Sequence, residues 1–322
     1  MTPQISNKQQ SFYKVKTTLQ TEITRNASKQ TYYTIRFLAD HDRLQDAFRA
    51  YAYFRWLDDL LDTNENSLEE KIALLSRQQR ILEACYQAKG SETSCPEEQM
   101  LVELVCNDAE VDSGLQAYLR NMMAVMAFDV ERRGTLISQS ELTQYTNSLA
   151  KAVTEYMFHF FGHCDQPPHS SNRYLAVQGA HITHMLRDML EDIDIGYINI
   201  PAELNLEGEP TGDIIYNPAF REWVAERVEL ARQNFVAGRR YIAHVKSKRC
   251  RLAGFAYLAR FEWMLKVIEG ENYTLRREYP ERKSLKAALW MAWRVFTSWT
   301  NRSDCVRKHQ EANTLVDQCE RG

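Results

Sequence analysis

A chain of 322 residues with 44% hydrophobic residues and a formal net charge of −3 is long and apolar enough to bury a large core, and one domain is expected. The near-neutral balance excludes a nucleic-acid footprint, while seven scattered cysteines without a C-x-x-C pair exclude a disulfide framework and structural zinc and point to reduced thiols. Residues 1–20 are polar with no apolar signal core, and no uncharged apolar run is long enough to span a bilayer, so a cytoplasmic protein is expected.

In chain order, residues 1–24 read as a polar N-terminal extension. Helical periodicity then runs from 29 to 62 with a short break at 39–42, where Asp40 or Asp42 is a candidate cap for the restart. Ser67 and Glu70 have capping-box spacing and open a helix to about 88, followed by a loop over 89–96 and helices over 97–107, 113–133 and 140–161. The loop 162–172 contains Pro167 and Pro168, and the next helix covers 173–194. Residues 196–218 are rich in Gly, Pro and Asn and read as an ordered flap, a candidate lid. Long helices over 219–247 and 249–270 precede a basic stretch at 276–286. A final helix over 285–299 has Trp290, Trp293 and Phe296 at helical spacing; packing on the domain is expected, with a peripheral membrane contact as the other reading. Residues 304–322 form a polar tail. Without β-type alternation the chain is all-α.

Two acidic stretches stand out: Tyr51, Arg55, Asp58, Asp59 and Asp62 in the first, and Arg187, Asp188, Glu191 and Asp192 in the second. On a helix the i, i+4 spacing stacks Asp58 over Asp62 and Asp188 over Asp192. Solvated faces with local ion pairs are the ordinary fate of such clusters. Two copies of one pattern favour instead a shared cavity mouth where cations hold a diphosphate, and hard oxygen donors favour Mg²⁺. His184 lies one turn before Asp188, so it is a further ligand, a base or a hydrogen-bond partner of that carboxylate. His159 and His163 share i, i+4 spacing across Gly162 but lack a third ligand and read as structural. No G-x-G-x-x-G or Walker sequence occurs, so no nucleotide-binding domain is encoded.

Tyr51-Ala-Tyr-Phe-Arg55-Trp-Leu-Asp58-Asp59-Leu-Leu-Asp62 and Leu186-Arg187-Asp188-Met-Leu-Glu191-Asp192 with Gly196 resemble the Y-A-x-x-R-x-x-D-D-x-x-D and L-R-D-x-x-E-D-x-x-x-G motifs of the squalene/phytoene synthase family. The segments from Tyr145 to Val153 and from Ile268 to Arg277 are similar to two further family segments, and the likeness extends over about residues 28–296. It implies a single-domain isoprenoid-synthase helical bundle around a central cavity, occupying residues 25–303. It further implies head-to-head condensation of two prenyl diphosphates through a cyclopropylcarbinyl diphosphate, with farnesyl favoured over geranylgeranyl. In the implied site Asp58, Asp62, Asp188 and Asp192 hold two or three Mg²⁺ ions. Arg55, Arg187, Tyr273, Arg277 and Lys29 bind diphosphate, and Tyr51, Arg55, Tyr145, His184, Arg187 and Tyr273 are catalytic candidates. NADPH use stays open, because no motif encodes it, and so does the oligomeric state.

Several positions depart from the family pattern: His184 stands for Asn, His181 for Gln, Lys151 and Thr154 for glycines, Tyr197 and Asn199 fall in a divergent segment, and Arg36 replaces a small or apolar residue. Polar groups in an apolar tunnel are costly unless they meet a polar partner. Two other readings therefore stand beside the first: an enzyme of the same fold using one prenyl diphosphate, for prenylation of another acceptor or for cyclisation, and a non-catalytic assembly factor.

Overall fold

Short polar side chains start most of the helices. Ser67 accepts from the Glu70 amide at 3.2 Å while Glu70 accepts from the Ser67 amide at 2.7 Å, and Ser138 and Glu141 repeat the arrangement at 3.2 and 2.7 Å. Ser28, Ser113, Asn217 and Ser247 cap other helices through single side-chain oxygens. The computed structural model describes residues 18–63, 65–89, 92–162, 169–206 and 212–300. Within them lie α1 (Leu19–Ala27), α2 (Lys29–Leu38), α3 (Leu44–Asp62), α4 (Leu68–Tyr86), α5 (Pro96–Cys106) and α6 (Gly114–Arg132). These are followed by α7 (Gln139–Phe161), α8 (Leu175–Asp194), α9 (Pro218–His244), α10 (Lys248–Gly270) and α11 (Leu285–Thr300). No strand occurs among the described residues; Ile137 and Pro201 form an isolated bridge.

The element order follows the periodicity, with informative differences. Helix α1 lies partly within the stretch read as an extension, and it packs on α3 through a face of Gln20, Thr21 and Thr24 that hydrophobicity alone does not mark. Asp40 occupies the cap position after α2, yet its carboxylate accepts from Arg249 at 2.7 Å instead of capping the turn. The cap of α7 is Ser138, just before the expected start, because Glu141 completes its box. The supposed flap is tied down in its first part: Gly196, at φ +92°, accepts from the Gly134 amide at 2.8 Å, and Ala202 donates to Ile137 at 2.8 Å. Residues 207–211 of that segment lie outside the described residues.

Two apolar cores meet along α7. One gathers residues of α2 to α7 around Phe48, Tyr53, Leu57, Leu101 and Leu119; the other gathers residues of α7 to α10 around Leu186, Phe220, Val224, Phe235 and Leu258. Polar ties lock their outer elements. Tyr53 donates to Gln78 at 3.0 Å and Gln78 to Glu98 at 2.8 Å, joining α3 to α4 and α5. The buried pair Arg173 and Glu155, bonded twice at 2.8 Å, joins the start of α8 to α7. Helix α8 lies against α9 at glycines. A Cβ on Gly238 would stand 2.5 Å from the Ala176 amide nitrogen, and one on Gly179 2.9 Å from the Ala231 carbonyl oxygen, so both contacts require the missing side chain.

Gly238→Ala is therefore expected to force α8 away from α9. Denaturant unfolding should show a loss of about 1–3 kcal/mol, and turnover should fall with it because α8 carries the second acidic motif.

Candidate active site

The acidic motifs occupy the last turns of α3 and α8. On α3, Arg55 donates to Asp58 at 3.3 Å and pairs with Asp59, so its guanidinium braces the first motif from one turn back. On α8, Arg187 donates to both oxygens of Asp188 at 2.6 and 2.5 Å, while His184 Nε2 lies 2.9 Å from Asp188 Oδ2. Burial works against the charge on Asp188, but these hydrogen bonds outweigh it and hold the carboxyl well below the usual range. His184 is thus a hydrogen-bond partner of Asp188.

A fifth carboxylate links the two motifs. Asp129, near the end of α6, repels Asp58 and Asp192 and is itself repelled by Asp62, which brings the ends of α3, α6 and α8 within one electrostatic neighbourhood. The hydroxyl of Tyr145, on the second turn of α7, donates to Asp129 at 2.9 Å, and Arg132 Nε donates to it at 2.7 Å. The same Arg132 donates to Asn199 at 2.8 Å, and Asn199 donates to Asp192 at 2.9 Å. The Arg132 guanidinium is buried against the rings of Tyr145 and Tyr197, at 4.8 and 5.2 Å from their centroids. Asp129, Arg132 and Asn199 were not candidates from sequence. The available signal was a single aspartate inside the apolar run 122–130, with an arginine one turn later.

Charge in this neighbourhood is incompletely balanced. Burial and repulsion from Asp62 push Asp58 up to about 6, and burial and repulsion from Asp188 push Asp192 up to about 7. Asp129 is also raised, by burial above all, against the pull of Arg132 and Tyr145. The carboxyl ends of three helices add negative partial charge to the same place, which ordinarily disfavours carboxylates there. The all-oxygen, over-negative donor set fits a hard divalent cation. Among the described residues, however, no three His, Cys, Asp or Glu side chains are gathered closely enough to hold an ion together.

The remaining sequence candidates fall in several places. Tyr51 is half-buried one turn before Arg55 on α3. Lys29 is exposed at the first position of α2, next to Gln30, which accepts from Arg260 of α10 at 3.4 Å. Arg260 lies near Arg187 and Asp188 and adds a cation that no motif announced. Tyr273 sits in a left-handed turn after α10, at φ +61°, and packs on the second core; no hydrogen bond or ion pair joins it to the aspartates of the motifs. Arg277 pairs with Asp194 just past the second motif, and Arg276 pairs with Glu281 at 2.8 Å, so both are engaged in tying down the segment before α11.

The interior beneath the carboxylates is apolar. His181 is buried with its ring 5.1 Å from that of Tyr145, neither ring nitrogen has a hydrogen-bond partner, and burial pushes it down to about 3, so the imidazole is neutral. One turn earlier on α8, Val177 lines a 40 Å³ cavity between α7, α8, α9 and α10, together with Phe158, Ala176, Gly254, Tyr257 and Thr154, whose hydroxyl is also unpaired. Such a space admits a prenyl chain only if side chains move. His159 is buried with Arg43 against its ring nitrogens, and His163 lies outside the described residues.

The sequence profile of the squalene/phytoene synthase family matches residues 24–288, most of the chain. The chain belongs to that family. It is therefore a prenyltransferase with the all-α isoprenoid-synthase fold, of a family that condenses prenyl groups head to head. Among solved structures it is similar to squalene synthase HpnC from Alicyclobacillus acidocaldarius, with 19% identity, a TM-score of 0.62 and coverage of 80% of this chain and 94% of that one. It is also similar to a dehydrosqualene synthase in complex with a ligand, at 15% identity, a TM-score of 0.63 and coverage of 88% and 95%. Among curated proteins none matches the sequence.

The raised carboxyls make a stability prediction whose sign is fixed. The folded state holds the protons of Asp58 (about 6) and Asp192 (about 7) more tightly than an unfolded chain, where aspartate titrates near 3.9. Ionising them costs stability as pH rises from about 4 through about 7, and the whole cost is present at pH 8. Asp192→Asn should raise the Tm of metal-free protein at pH 8 by on the order of 2–4 °C and lose that advantage near pH 4, as scanning calorimetry at both pH values would show.

Proposed function

We propose that the protein joins two prenyl diphosphates, farnesyl in preference to geranylgeranyl, at their C1 ends through a cyclopropylcarbinyl diphosphate. The observation that carries this reading is the meeting of both acidic motifs around Asp129 above an apolar interior. Ionisation breaks a C1–O bond and leaves a carbocation and pyrophosphate, so the site must receive an anion at one end and keep water from a cation at the other. Asp58, Asp62, Asp188 and Asp192 would hold Mg²⁺, which would supply positive charge to the departing diphosphate. Arg187 and Arg260 add fixed cations on the α8 and α10 side. Arg55 braces the first motif, and Arg132 orients Asp129 and, through Asn199, Asp192. The Tyr145 phenol, held well above its usual range by burial and by the Asp129 charge, stays protonated and keeps its hydrogen bond to that carboxylate.

Purified protein incubated with Mg²⁺ and labelled farnesyl or geranylgeranyl diphosphate, with and without NADPH, should yield a C30 or C40 product. Asp58→Asn and Asp188→Asn should each lower turnover by on the order of 10²–10³-fold with unchanged circular dichroism. Wild-type rates in both variants would remove the assigned roles, and an inert wild-type protein would remove the reading itself.

One observation favours the second reading, transfer of a single prenyl group to a polar acceptor: the neutral His181 imidazole is unpaired on both nitrogens beside Tyr145. His181→Leu is expected to raise the Tm of the unliganded protein, because it removes an unsatisfied buried polar group. If the ring meets a polar acceptor, the same variant loses turnover with that acceptor while still releasing pyrophosphate from the prenyl diphosphate.

A further inference from the structure

Helix α11 buries one face and leaves the other bare. Ala287 and Ser298 are buried against the domain, Trp290 packs on Trp263 with centroids 5.6 Å apart, and Arg294 donates to Glu262 at 2.9 and 3.1 Å. On the opposite face Leu285, Leu289, Trp293 and Phe296 are 75, 64, 58 and 65% exposed, a stripe at i, i+4, i+8 and i+11. Beside it runs an apolar groove of 560 Å³ lined by Leu252, Ala256, Met291 and Val295, which continues the stripe onto α10. A contiguous apolar surface of this kind marks an interaction site.

Its charge surroundings identify the occupant. From Arg282 to Thr300 there is no acidic residue. Arg282 and Lys283, in the turn before α11, and Lys286, in its first turn, are exposed, and no ion pair engages any of them among the described residues. Residues 301–322 contain only Val306, Leu315 and Val316 as larger aliphatic residues, too few to cover the stripe. A second copy of the chain would cover the leucines and aromatics and leave the cations unanswered. An anionic lipid surface answers both: acyl chains take Leu289, Trp293 and Phe296, and headgroups take the basic cluster. No helix of the described residues is long and apolar enough to cross a membrane, so the contact is one of lying on the surface.

We propose that α11 is a membrane-docking helix that seats the enzyme on an anionic lipid surface through Leu285, Leu289, Trp293 and Phe296, with Arg282, Lys283 and Lys286 contacting the headgroups. Docking does not depend on which prenyl product is made, so vesicle binding and turnover can fail separately. Under the function proposed above, it would bring the site to the phase in which a long hydrocarbon product dissolves.

The test is co-sedimentation of the full chain with phosphatidylcholine vesicles and with vesicles containing about one-third phosphatidylglycerol, with tryptophan emission recorded. Binding to the anionic vesicles with a blue-shifted emission, weakened by salt, is expected. The pair Leu289→Ser and Phe296→Ser should abolish it without changing circular dichroism or turnover in detergent. Lys283→Ala with Lys286→Ala should weaken it at least about tenfold and remove the preference for anionic lipid. No binding to either vesicle, or binding unaffected by both pairs, overturns the proposal. Equally, a dimer in light scattering that the Leu289 and Phe296 substitutions dissolve, without vesicle binding, makes the face a protein interface and overturns it.

Discussion

Mutual repulsion among carboxylates at the ends of α3, α6 and α8 is the constraint around which this molecule is arranged. Asp58, Asp62, Asp129, Asp188 and Asp192 are brought together at helix ends that disfavour negative charge, and burial first, with repulsion from Asp62 and Asp188 second, raises Asp58 to about 6 and Asp192 to about 7. A fold selected only for stability would separate these groups. Cations within the protein answer part of the charge: Arg187 takes Asp188, which His184 also hydrogen-bonds, Arg55 takes Asp58 and Asp59, and Arg132 takes Asp129. What is left over is a demand for positive charge in a place open to ligands.

Holding that arrangement requires rigid helices, and the packing below supplies them. Two cores meet on α7, so α3 and α8 are each fixed to a separate apolar mass. The close approach of α8 to α9 at Gly179 and Gly238 and the buried Arg173 and Glu155 pair set the position of α8 along its length. A buried ion pair of this type adds little net stability but penalises every arrangement that breaks it. The first part of the segment after α8, through Asn199, Pro201 and Ala202, is bound to the α6–α7 connection and becomes part of the site wall.

Much of this was legible in the amino-acid order. Helical periodicity located α3, α8, α9, α10 and α11, and the Ser67 and Glu70 box marked the start of α4, because local side-chain spacing and capping are properties of neighbours in the chain. Helix α1 escaped because its packed face is made of Gln and Thr rather than apolar residues. Asp129 escaped because it belongs to no repeated motif; its meaning comes from Tyr145 and Arg132 and from carboxylates on two other helices. Arg277 and Tyr273 carried a family-like signature; in the fold Arg277 pairs with Asp194, just past the second motif, and Tyr273 occupies a left-handed turn after α10.

The sequence by itself determined an all-α chain with two helices bearing stacked aspartates, since residues four apart on a helix share a face whatever surrounds it. Only the tertiary structure decided that those faces meet around Asp129, that Arg132 and Asn199 tie Asp129 to Asp192, that His181 is sealed without a partner, and that α11 keeps an apolar stripe bare. Those outcomes depend on contacts between segments far apart in the chain, and the spacing of neighbours carries no record of which distant surfaces will touch.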